Sequence, residues 1–353
     1  MTEPVPSGQA SGGAGAQGSS TGSSGTGASS TGTSSTGTGT AQAKTVARPK
    51  PTLLHEPANL ARRLGVRVIL AIETFQFTGS FKFRAALSVA QNVPQRMILA
   101  ASSGNFGQAL ACACTMTGKA SVIVMPHNSA RVKIDAVRSY GGFVELVDTR
   151  TKTRAERVNE LRDVYPDAYV SSAYDDPWVI AGNSSLGVEL ADRLPKDCTT
   201  VVAPIGGGGL ASGLIEGFRK SDRRLTLVAA EPAMANDAAR SMREGRIVAN
   251  EVEPQTIADG ARTPSVGHLN WPILSGGLER IVEVPEEKIG EAVRTLFDDA
   301  HVKAEPTGAL SLAAVLTAPE LFQEKTVCCV VSGGNVDADV YANLLVGLTA
   351  AQP

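Results

Sequence analysis

The chain has 353 residues, of which 42% are hydrophobic and 19% charged, and its formal net charge is -2 at pH 7. This length allows one large or two modest domains around a substantial apolar core. The near-neutral charge, without a polybasic stripe, argues against nucleic acid as a partner. We expect no membrane contact, because no apolar run reaches the roughly 18 residues that a spanning helix needs.

Residues 1–47 differ in composition from the rest of the chain. From Pro4 to Ala43 there is no charged residue, and Gly, Ser, Thr and Ala predominate. Such a stretch cannot bury enough apolar surface to offset the entropy that it would lose on ordering. We therefore predict a disordered tail over residues 1–47 and a folded part that begins at Arg48.

From Arg48 onward, apolar β-rich runs alternate with helical patterns. The sequence predicts, in chain order, a strand over 66–72, a helix over 81–91, a strand over 96–101, a helix over 105–117, a strand over 120–125, a helix over 130–140, and strands over 143–147, 199–205, 225–230 and 327–331, with a helix after Gly209. This alternation predicts an α/β fold in which parallel sheets are covered by helices. Ligands of such folds collect at the carboxyl ends of the strands.

The chain contains five cysteines and no CxxC pair. Their scatter through apolar segments predicts buried thiols in a reducing compartment, and we expect a cytoplasmic protein.

Lys82 follows the turn at Gly79 and lies where the helix over 81–91 is predicted to begin. A lysine amine held in an apolar pocket at this place is a candidate Schiff-base nucleophile. Since lysines at helix starts are more commonly solvated charges, the assignment depends on three loops further along the chain.

The strand over 199–205 runs directly into four glycines, Gly206–Gly209, and a helix follows. Their backbone N–H groups and the helix start favour a bound anion, for which phosphate is the natural candidate. The alternative is a tight strand-to-helix turn without a ligand.

The same loop also fits a dinucleotide-binding pattern. Gly206, Gly208 and Ala211 have the required spacing, and Glu231 lies twenty residues after Ala211. A dinucleotide would, however, leave Lys82 and the remaining two loops unexplained.

Two further loops follow strands and carry polar side chains. The loop over Ser102–Gly107 suits a carboxylate, and its Asn105 can hydrogen-bond a phenolic oxygen. In the loop over Ser332–Asn335, Ser332 can hydrogen-bond a ring nitrogen; serines at such places also cap helices. Together, the amine, the glycine cradle, the amide and the hydroxyl match the aldehyde, phosphate, 3-oxygen and ring nitrogen of pyridoxal phosphate.

With these features the chain resembles the serine racemase and serine/threonine dehydratase family of fold type II pyridoxal-phosphate enzymes. The resemblance runs from about Pro57 to Asp337 and rests on these segments: Ser80–Arg84, Ser102–Gly107, Pro204–Leu210, Ile257–Gly260, Asn270–Pro272, Glu305–Thr307 and Ser332–Asp337. Phe106 stands where the family usually has His, which should narrow or dry the carboxylate pocket. The resemblance implies two three-layer α/β domains with the cofactor in the cleft between them: a large one over 48–96 plus 175–353 and a small one over 97–174.

The resemblance also implies roles for single residues. Lys82 would be the Schiff-base lysine and would then take the Cα proton, while Ser103 would be the acid/base on the opposite cofactor face. The cofactor would contact Asn105 at its 3-oxygen, Gly206, Gly207, Gly208 and Gly209 at its phosphate, and Ser332 at its ring nitrogen. The substrate would contact Ser102, Gly104 and Asn105 through its carboxylate, and Arg154 and Thr263 through a second carboxylate.

A cation site is implied as well. Glu231, the carbonyl of Ala235 and Asp237 match a divalent-cation site of many family members, and such ligands suit Mg²⁺, Ca²⁺ or Mn²⁺. An exposed acidic loop is the alternative.

The activity implied is the α,β-elimination of serine, threonine or 3-hydroxyaspartate to a 2-oxo acid and ammonia. A neutral Ser332 at the ring nitrogen gives a weaker electron sink than an aspartate would, which favours expulsion of a β leaving group. The open alternatives are an amino-acid racemase, a β-replacement enzyme resembling cysteine synthase, a nucleotide-binding oxidoreductase and a non-catalytic binder of pyridoxal phosphate. We expect a small amino-acid substrate and, by resemblance, a homodimer.

Overall fold

The computed structural model describes residues 47–347, so the predicted tail over residues 1–47 lies, except for Ala47, outside the described residues. The strands are β1 (Leu53–His55), β2 (Arg67–Ile72), β3 (Met97–Ala101), β4 (Ala120–Pro126), β5 (Phe143–Val147), β6 (Tyr169–Ser171), β7 (Cys198–Pro204), β8 (Thr226–Pro232), β9 (Leu278–Val284) and β10 (Thr326–Val331). The helices are α1 (Ala58–Leu64), α2 (Lys82–Asn92), α3 (Asn105–Thr117), α4 (Arg131–Ser139), α5 (Arg154–Val164), α6 (Pro177–Arg193), α7 (Gly209–Arg219), α8 (Asp237–Glu244), α9 (Trp271–Ser275), α10 (Glu286–Ala300), α11 (Pro306–Thr317) and α12 (Ala338–Leu345).

The larger sheet has six strands in the order β1-β2-β10-β7-β8-β9. All neighbours are parallel except β1, which pairs antiparallel with β2. Every residue of the central strand β10 is buried, as expected for a parallel strand with helices on both faces. One face packs against α10 and α11, and the other against α6 and α7.

The smaller sheet has four parallel strands in the order β5-β4-β3-β6. Helices α2, α3 and α4 and the start of α6 cover one face, and α5 covers the other. Parallel α/β layers were the predicted fold class, and this prediction is confirmed. The predicted strands and helices agree with the observed bounds to within two residues at each end.

The sequence patterns missed three strands, β1, β6 and β9. The antiparallel β1 makes the larger sheet mixed, whereas only parallel sheets were predicted. The smaller sheet is built from residues 97–171, and the larger from residues 53–72 and 198–331. The strands of the two sheets are compatible with the predicted domain bounds, in which the small domain spans 97–174. These bounds stay a prediction.

A cavity of about 1040 Å³ lies where strands of both sheets end. Its lining includes the residues that directly follow β3, β6 and β10, and also Pro204, the last residue of β7. Carboxyl ends of parallel strands from two sheets thus open into one space, which is where such folds place their ligands. Within residues 47–347, no helix combines the length and apolar character required to cross a membrane.

Candidate active site

Lys82 is the first residue of α2, and its side chain enters the cavity. Its Nζ donates to the carbonyl oxygen of Ala173 at 2.8 Å and lies 5.0 Å from the ring centroid of Phe81 and 5.8 Å from that of Phe106. Burial lowers the pKa of Lys82 to about 8, with the negative charge of Glu305 acting in the opposite direction. A neutral, nucleophilic amine is therefore readily available near neutral pH.

Phe106 explains part of this environment. Its side chain is 2% exposed, belongs to the core of the smaller sheet and also lines the cavity. An aromatic ring here offers no hydrogen bond to the amine, so the cavity beside Lys82 is drier than a histidine would leave it.

The glycine loop follows β7 and begins α7 at Gly209. In the part of the chain that the structure describes, none of the backbone N–H groups of Gly206–Gly209 donates to a protein acceptor. These residues line the cavity, and Gly208 has a φ of 93°, in the left-handed region that favours glycine. Free N–H groups at the start of a helix form a site for an anion such as phosphate.

Packing also requires glycine at this place. A Cβ added at Gly207 would lie 2.2 Å from Cδ2 of Tyr174, and one at Gly209 would lie 3.0 Å from its Cα. The run of glycines therefore serves both the free N–H groups and the close approach of Tyr174, a residue that the sequence analysis did not identify.

Ser332 directly follows β10 and is 1% exposed. Its backbone carbonyl accepts from the N–H of Phe81, but its Oγ has no hydrogen-bond partner among the described residues. The hydroxyl caps no helix, so the capping alternative is wrong for this serine. A buried hydroxyl without a partner beside a cavity is suited to a ligand atom.

The two serines of the loop after β3 make different hydrogen bonds. Ser102 Oγ accepts from the N–H of Gly107 at 3.0 Å and thereby caps the start of α3. Ser103 Oγ makes no such bond; it accepts from Nη1 of Arg154 at 3.5 Å. Ser102, Ser103, Gly104 and Arg154 all line the cavity, and the predicted substrate contacts of Ser102 and Gly104 stay predictions.

Asn105 is the first residue of α3, and both the nitrogen and the oxygen of its side-chain amide make hydrogen bonds. Its Nδ2 donates to Oε1 of Glu305 at 2.7 Å, and its Oδ1 accepts from Nδ2 of Asn335 at 2.7 Å. The predicted contacts of Asn105 with the cofactor and the substrate stay predictions. The network fixes the orientation of the amide at the cavity wall.

Glu305 was part of a motif, but the sequence analysis assigned it no role. It is 4% exposed and lines the cavity. Burial, followed by the negative charge of Asp259, raises the pKa of Glu305 to about 8, although its bond from Asn105 acts in the opposite direction. The raised pKa marks Glu305 as a further candidate for proton handling. The sequence signal that could have found it is a carboxylate at the N-cap of a helix without charged residues.

Thr263 also lines the cavity. Its Oγ1 is buried without a hydrogen-bond partner among residues 47–347. Arg154 and Thr263 therefore stand at one cavity, as predicted, while their contact with a second carboxylate stays a prediction.

The predicted cation site forms a separate group. Both carboxylate oxygens of Glu231 accept from the N–H groups of Ala238 and Ala239 at 2.8 Å, whereas Asp237 Oδ2 is buried without a partner in the described structure. Burial raises the pKa of Asp237 to about 6, and burial together with the charge of Asp237 raises that of Glu231. Two buried carboxylates fit a divalent cation, and the assignment, with Ala235, stays a prediction. Within the described part of the chain, no cluster of three or more His, Cys, Asp or Glu is arranged for a metal.

Glu231 also decides against the dinucleotide alternative. In that pattern its carboxylate should be free to bind a ribose hydroxyl. Here it is 1% exposed and is bound by two backbone N–H groups at the start of α8. The oxidoreductase interpretation is therefore wrong.

The cavity fits pyridoxal phosphate at three of the cofactor's polar groups, namely the aldehyde, the phosphate and the ring nitrogen. One space is lined by the Lys82 amine with its lowered pKa, by the N–H groups of Gly206–Gly209 and by the Ser332 hydroxyl; these N–H groups and this hydroxyl have no protein partner among the described residues. The volume of about 1040 Å³ leaves room for an amino acid beside the cofactor.

Comparisons with known proteins agree with this geometry. The sequence pattern of the family described as pyridoxal-phosphate dependent enzymes matches residues 47–333. An L-threo-3-hydroxyaspartate ammonia-lyase from a Pseudomonas species is 34% identical over 80% of this chain and 89% of its own, and the serine racemase of Schizosaccharomyces pombe is 33% identical over 86% and 93%. The crystal structure of the T.th. threonine deaminase superposes with a TM-score of 0.77 at 38% identity, covering 82% of this chain and 94% of that one. The chain belongs to the family of pyridoxal-phosphate dependent enzymes.

Proposed function

We propose that this chain is an ammonia-lyase that removes water from a 3-hydroxy amino acid and releases a 2-oxo acid and ammonia. The observation that carries the proposal is the cavity in which the buried amine of Lys82 and the free N–H groups of Gly206–Gly209 meet. The similarity to proteins named hydroxyaspartate ammonia-lyase and threonine deaminase supports elimination as the reaction.

Pyridoxal phosphate, when bound, supplies the electron sink that makes the α-proton of an amino acid acidic. Lys82 would hold its aldehyde carbon, Gly206–Gly209 its phosphate and Ser332 its ring nitrogen. Once released, the Lys82 amine can take the α-proton, and a pKa of about 8 suits a general base that works near neutral pH. The apolar surroundings of Phe81 and Phe106 exclude water from this proton transfer.

Among 3-hydroxy amino acids, we propose 3-hydroxyaspartate as the preferred substrate. Arg154 and the unpartnered hydroxyl of Thr263 line the same cavity. A guanidinium pairs with a carboxylate through two parallel hydrogen bonds. The side chains of serine and threonine carry no carboxylate and cannot form this pair. Arg154 would therefore recognise the second carboxylate of an acidic substrate.

Racemisation is the second candidate activity. Its support is the hydroxyl of Ser103, which lines the cavity and is not used to cap α3. A proton donor on the cofactor face opposite Lys82 is what inversion at Cα requires. The similarity to a serine racemase gives further support.

Assays of 2-oxo acid and of D-amino acid formation from serine, threonine and 3-hydroxyaspartate separate these activities. We expect 2-oxo acid from all three, with the highest kcat/KM for 3-hydroxyaspartate. Arg154→Met should lower that kcat/KM at least about ten-fold, the loss expected for one charge-assisted pair of hydrogen bonds. The control is Arg157→Met, also on α5, whose guanidinium pairs with Glu145 and Glu160. D-serine formation without pyruvate would refute elimination.

We also propose a homodimer in the cytoplasm. All five cysteines are buried free thiols, which suits a reducing compartment. Sedimentation analysis of the holoprotein measures the oligomeric state, and a mass of one chain would refute the dimer.

A further inference from the structure

An ion pair joins two walls of the cavity. Nζ of Lys133 and Oδ2 of Asp259 are 2.9 Å apart, and both residues line the cavity. The side chains are 33% and 44% exposed, so the pair is in contact with solvent on one side and with the cavity on the other.

The two partners belong to different cores. Lys133 lies on α4, which packs with α3 against the smaller sheet. Asp259 begins a short 3₁₀ turn, Asp259–Ala261, whose Ala261 packs into a core of the larger sheet. Because these cores are separate, the ion pair connects one wall of the cavity to the other.

The segment over residues 257–263, which contains Asp259, also packs close to the glycine loop at Gly206. A Cβ added at Gly206 would lie 3.1 Å from Cα of Ala261, and the N–H of Gly260 donates to Oγ1 of Thr307 at 2.9 Å. A shift of this segment would therefore reach the proposed phosphate site. The ion pair restrains the segment from the opposite wall.

Lys133 is also the cation that balances several carboxylates at this end of the cavity. Asp259, Asp337 and Glu305 all act on it electrostatically, and they raise the pKa of its amine against the effect of burial. Without Lys133, the carboxylates of Asp259 and Asp337 would lose this counter-charge next to an anionic substrate.

We propose that Lys133 and Asp259 are positioning residues, which hold the 257–263 segment closed over the cavity and so set the affinity for substrate. Neither side chain takes part in the chemistry. A partly exposed pair contributes at most about 1 kcal/mol, or about a five-fold effect on the closing equilibrium. The kinetic part of this proposal rests on the proposed function, whereas the closure itself does not.

The first test is limited trypsin digestion of the holoprotein, followed by mass spectrometry of the cut after Arg262, which is exposed and lies within this segment. Cutting reports the fraction of time for which the segment is open. Lys133→Met and Asp259→Asn should each raise the rate of this cut about five-fold, and the double variant should cut no faster than either. Single effects that multiply in the double variant, or wild-type rates in both, would overturn the proposal.

The second test measures turnover. Lys133→Met and Asp259→Asn should each raise KM about five-fold, with kcat within two-fold for Lys133→Met. The exchanged pair Lys133→Asp with Asp259→Lys should restore KM to within two-fold. The control is Lys288→Met, which removes an ion pair of the same 2.9 Å length and similar exposure within α10. A fall in kcat at constant KM would overturn the positioning role. If no substrate is turned over, the proposed function fails, and the digestion still decides on the closure.

Discussion

At the residue scale, the buried amine of Lys82 predicts how the cofactor attaches. Only a neutral amine can attack the aldehyde, and burial lowers the pKa of this amine to about 8. The rate at which the apoprotein is reconstituted by pyridoxal phosphate should therefore rise with pH and level off above about 8. A stopped-flow record of the absorbance change measures this rate, and a midpoint near the ordinary lysine value of about 10.4 would contradict the assignment.

The hydroxyl of Ser332 gives a second prediction at this scale. Because its Oγ has no protein partner, Ser332→Ala should leave the thermal midpoint of the apoprotein within about 1 °C, or raise it slightly. The same change should weaken cofactor binding up to about ten-fold, the effect of one lost hydrogen bond. Equilibrium dialysis against pyridoxal phosphate measures the affinity. A large loss of apoprotein stability with unchanged affinity would show that the hydroxyl has a structural role.

Single residues also show where sequence reasoning succeeds and where it ends. Gly206–Gly209 could be identified from the run of glycines itself, and Lys82 could be identified because each of the three loops that support its assignment follows a recognisable strand. Glu305 could be noticed only as a carboxylate before an uncharged helix, because its raised pKa arises from burial and from Asp259, which is distant in sequence. The separation of roles between Ser102 and Ser103 likewise depends on backbone geometry that the sequence does not display.

At the element scale, the turn from β7 to α7 predicts the effect of a single methyl group. In Gly207→Ala the new Cβ would lie 2.2 Å from the ring of Tyr174, so we expect a loss of about 1–3 kcal/mol and weaker cofactor binding. Gly276→Ala is the control, because its nearest neighbour would be 3.6 Å away. Thermal unfolding measures both, and the cost of Gly207→Ala should shrink in a Tyr174→Ala background. Equal costs for Gly207→Ala and Gly276→Ala would contradict the packing argument.

The start of α8 predicts a cation effect that depends on pH. The pKa of Asp237, about 6, and that of Glu231 are raised in the folded state, so without a cation the fold loses stability as pH rises through these values. A bound divalent cation replaces the protons and removes this loss. EDTA should therefore lower the thermal midpoint by several degrees at pH 7.5 and by less at pH 5.

Glu231→Gln provides the control for this cation effect. In this variant the response to EDTA at pH 7.5 should disappear. An equal response at pH 5 and 7.5, or none in the wild type, would argue against a cation at this site.

Element bounds were predictable because hydrophobic runs and glycines mark them locally. Helix α2 begins at Lys82, one residue from its predicted start, and β5 has the predicted bounds. The strands that were missed are the short β1 and β6 and the half-exposed β9, whose sequence Leu278–Val284 carries charges on its exposed face. Their position depends on sheet neighbours, which periodicity alone does not reveal.

At the scale of the whole molecule, the site exists because two sheets present their carboxyl ends to one cavity. Arg84, two residues after Lys82, shows how the parts are joined: its guanidinium binds the carboxylates of Glu73 at 2.7 Å and Glu189 at 2.8 Å. Glu73 directly follows β2, Glu189 lies on α6, and Arg84 itself lies on α2. Such a buried network fixes α2 relative to the larger sheet, and no spacing in the sequence predicts it.

The central claim is that this cavity holds pyridoxal phosphate joined to the amine of Lys82. Borohydride reduction of the holoprotein, followed by peptide mass spectrometry, tests it most directly, because reduction makes the link permanent. We expect loss of the near-visible absorbance band and one modified peptide carrying the reduced cofactor on Lys82. An unmodified Lys82, with the label on another lysine or on none, would contradict the account.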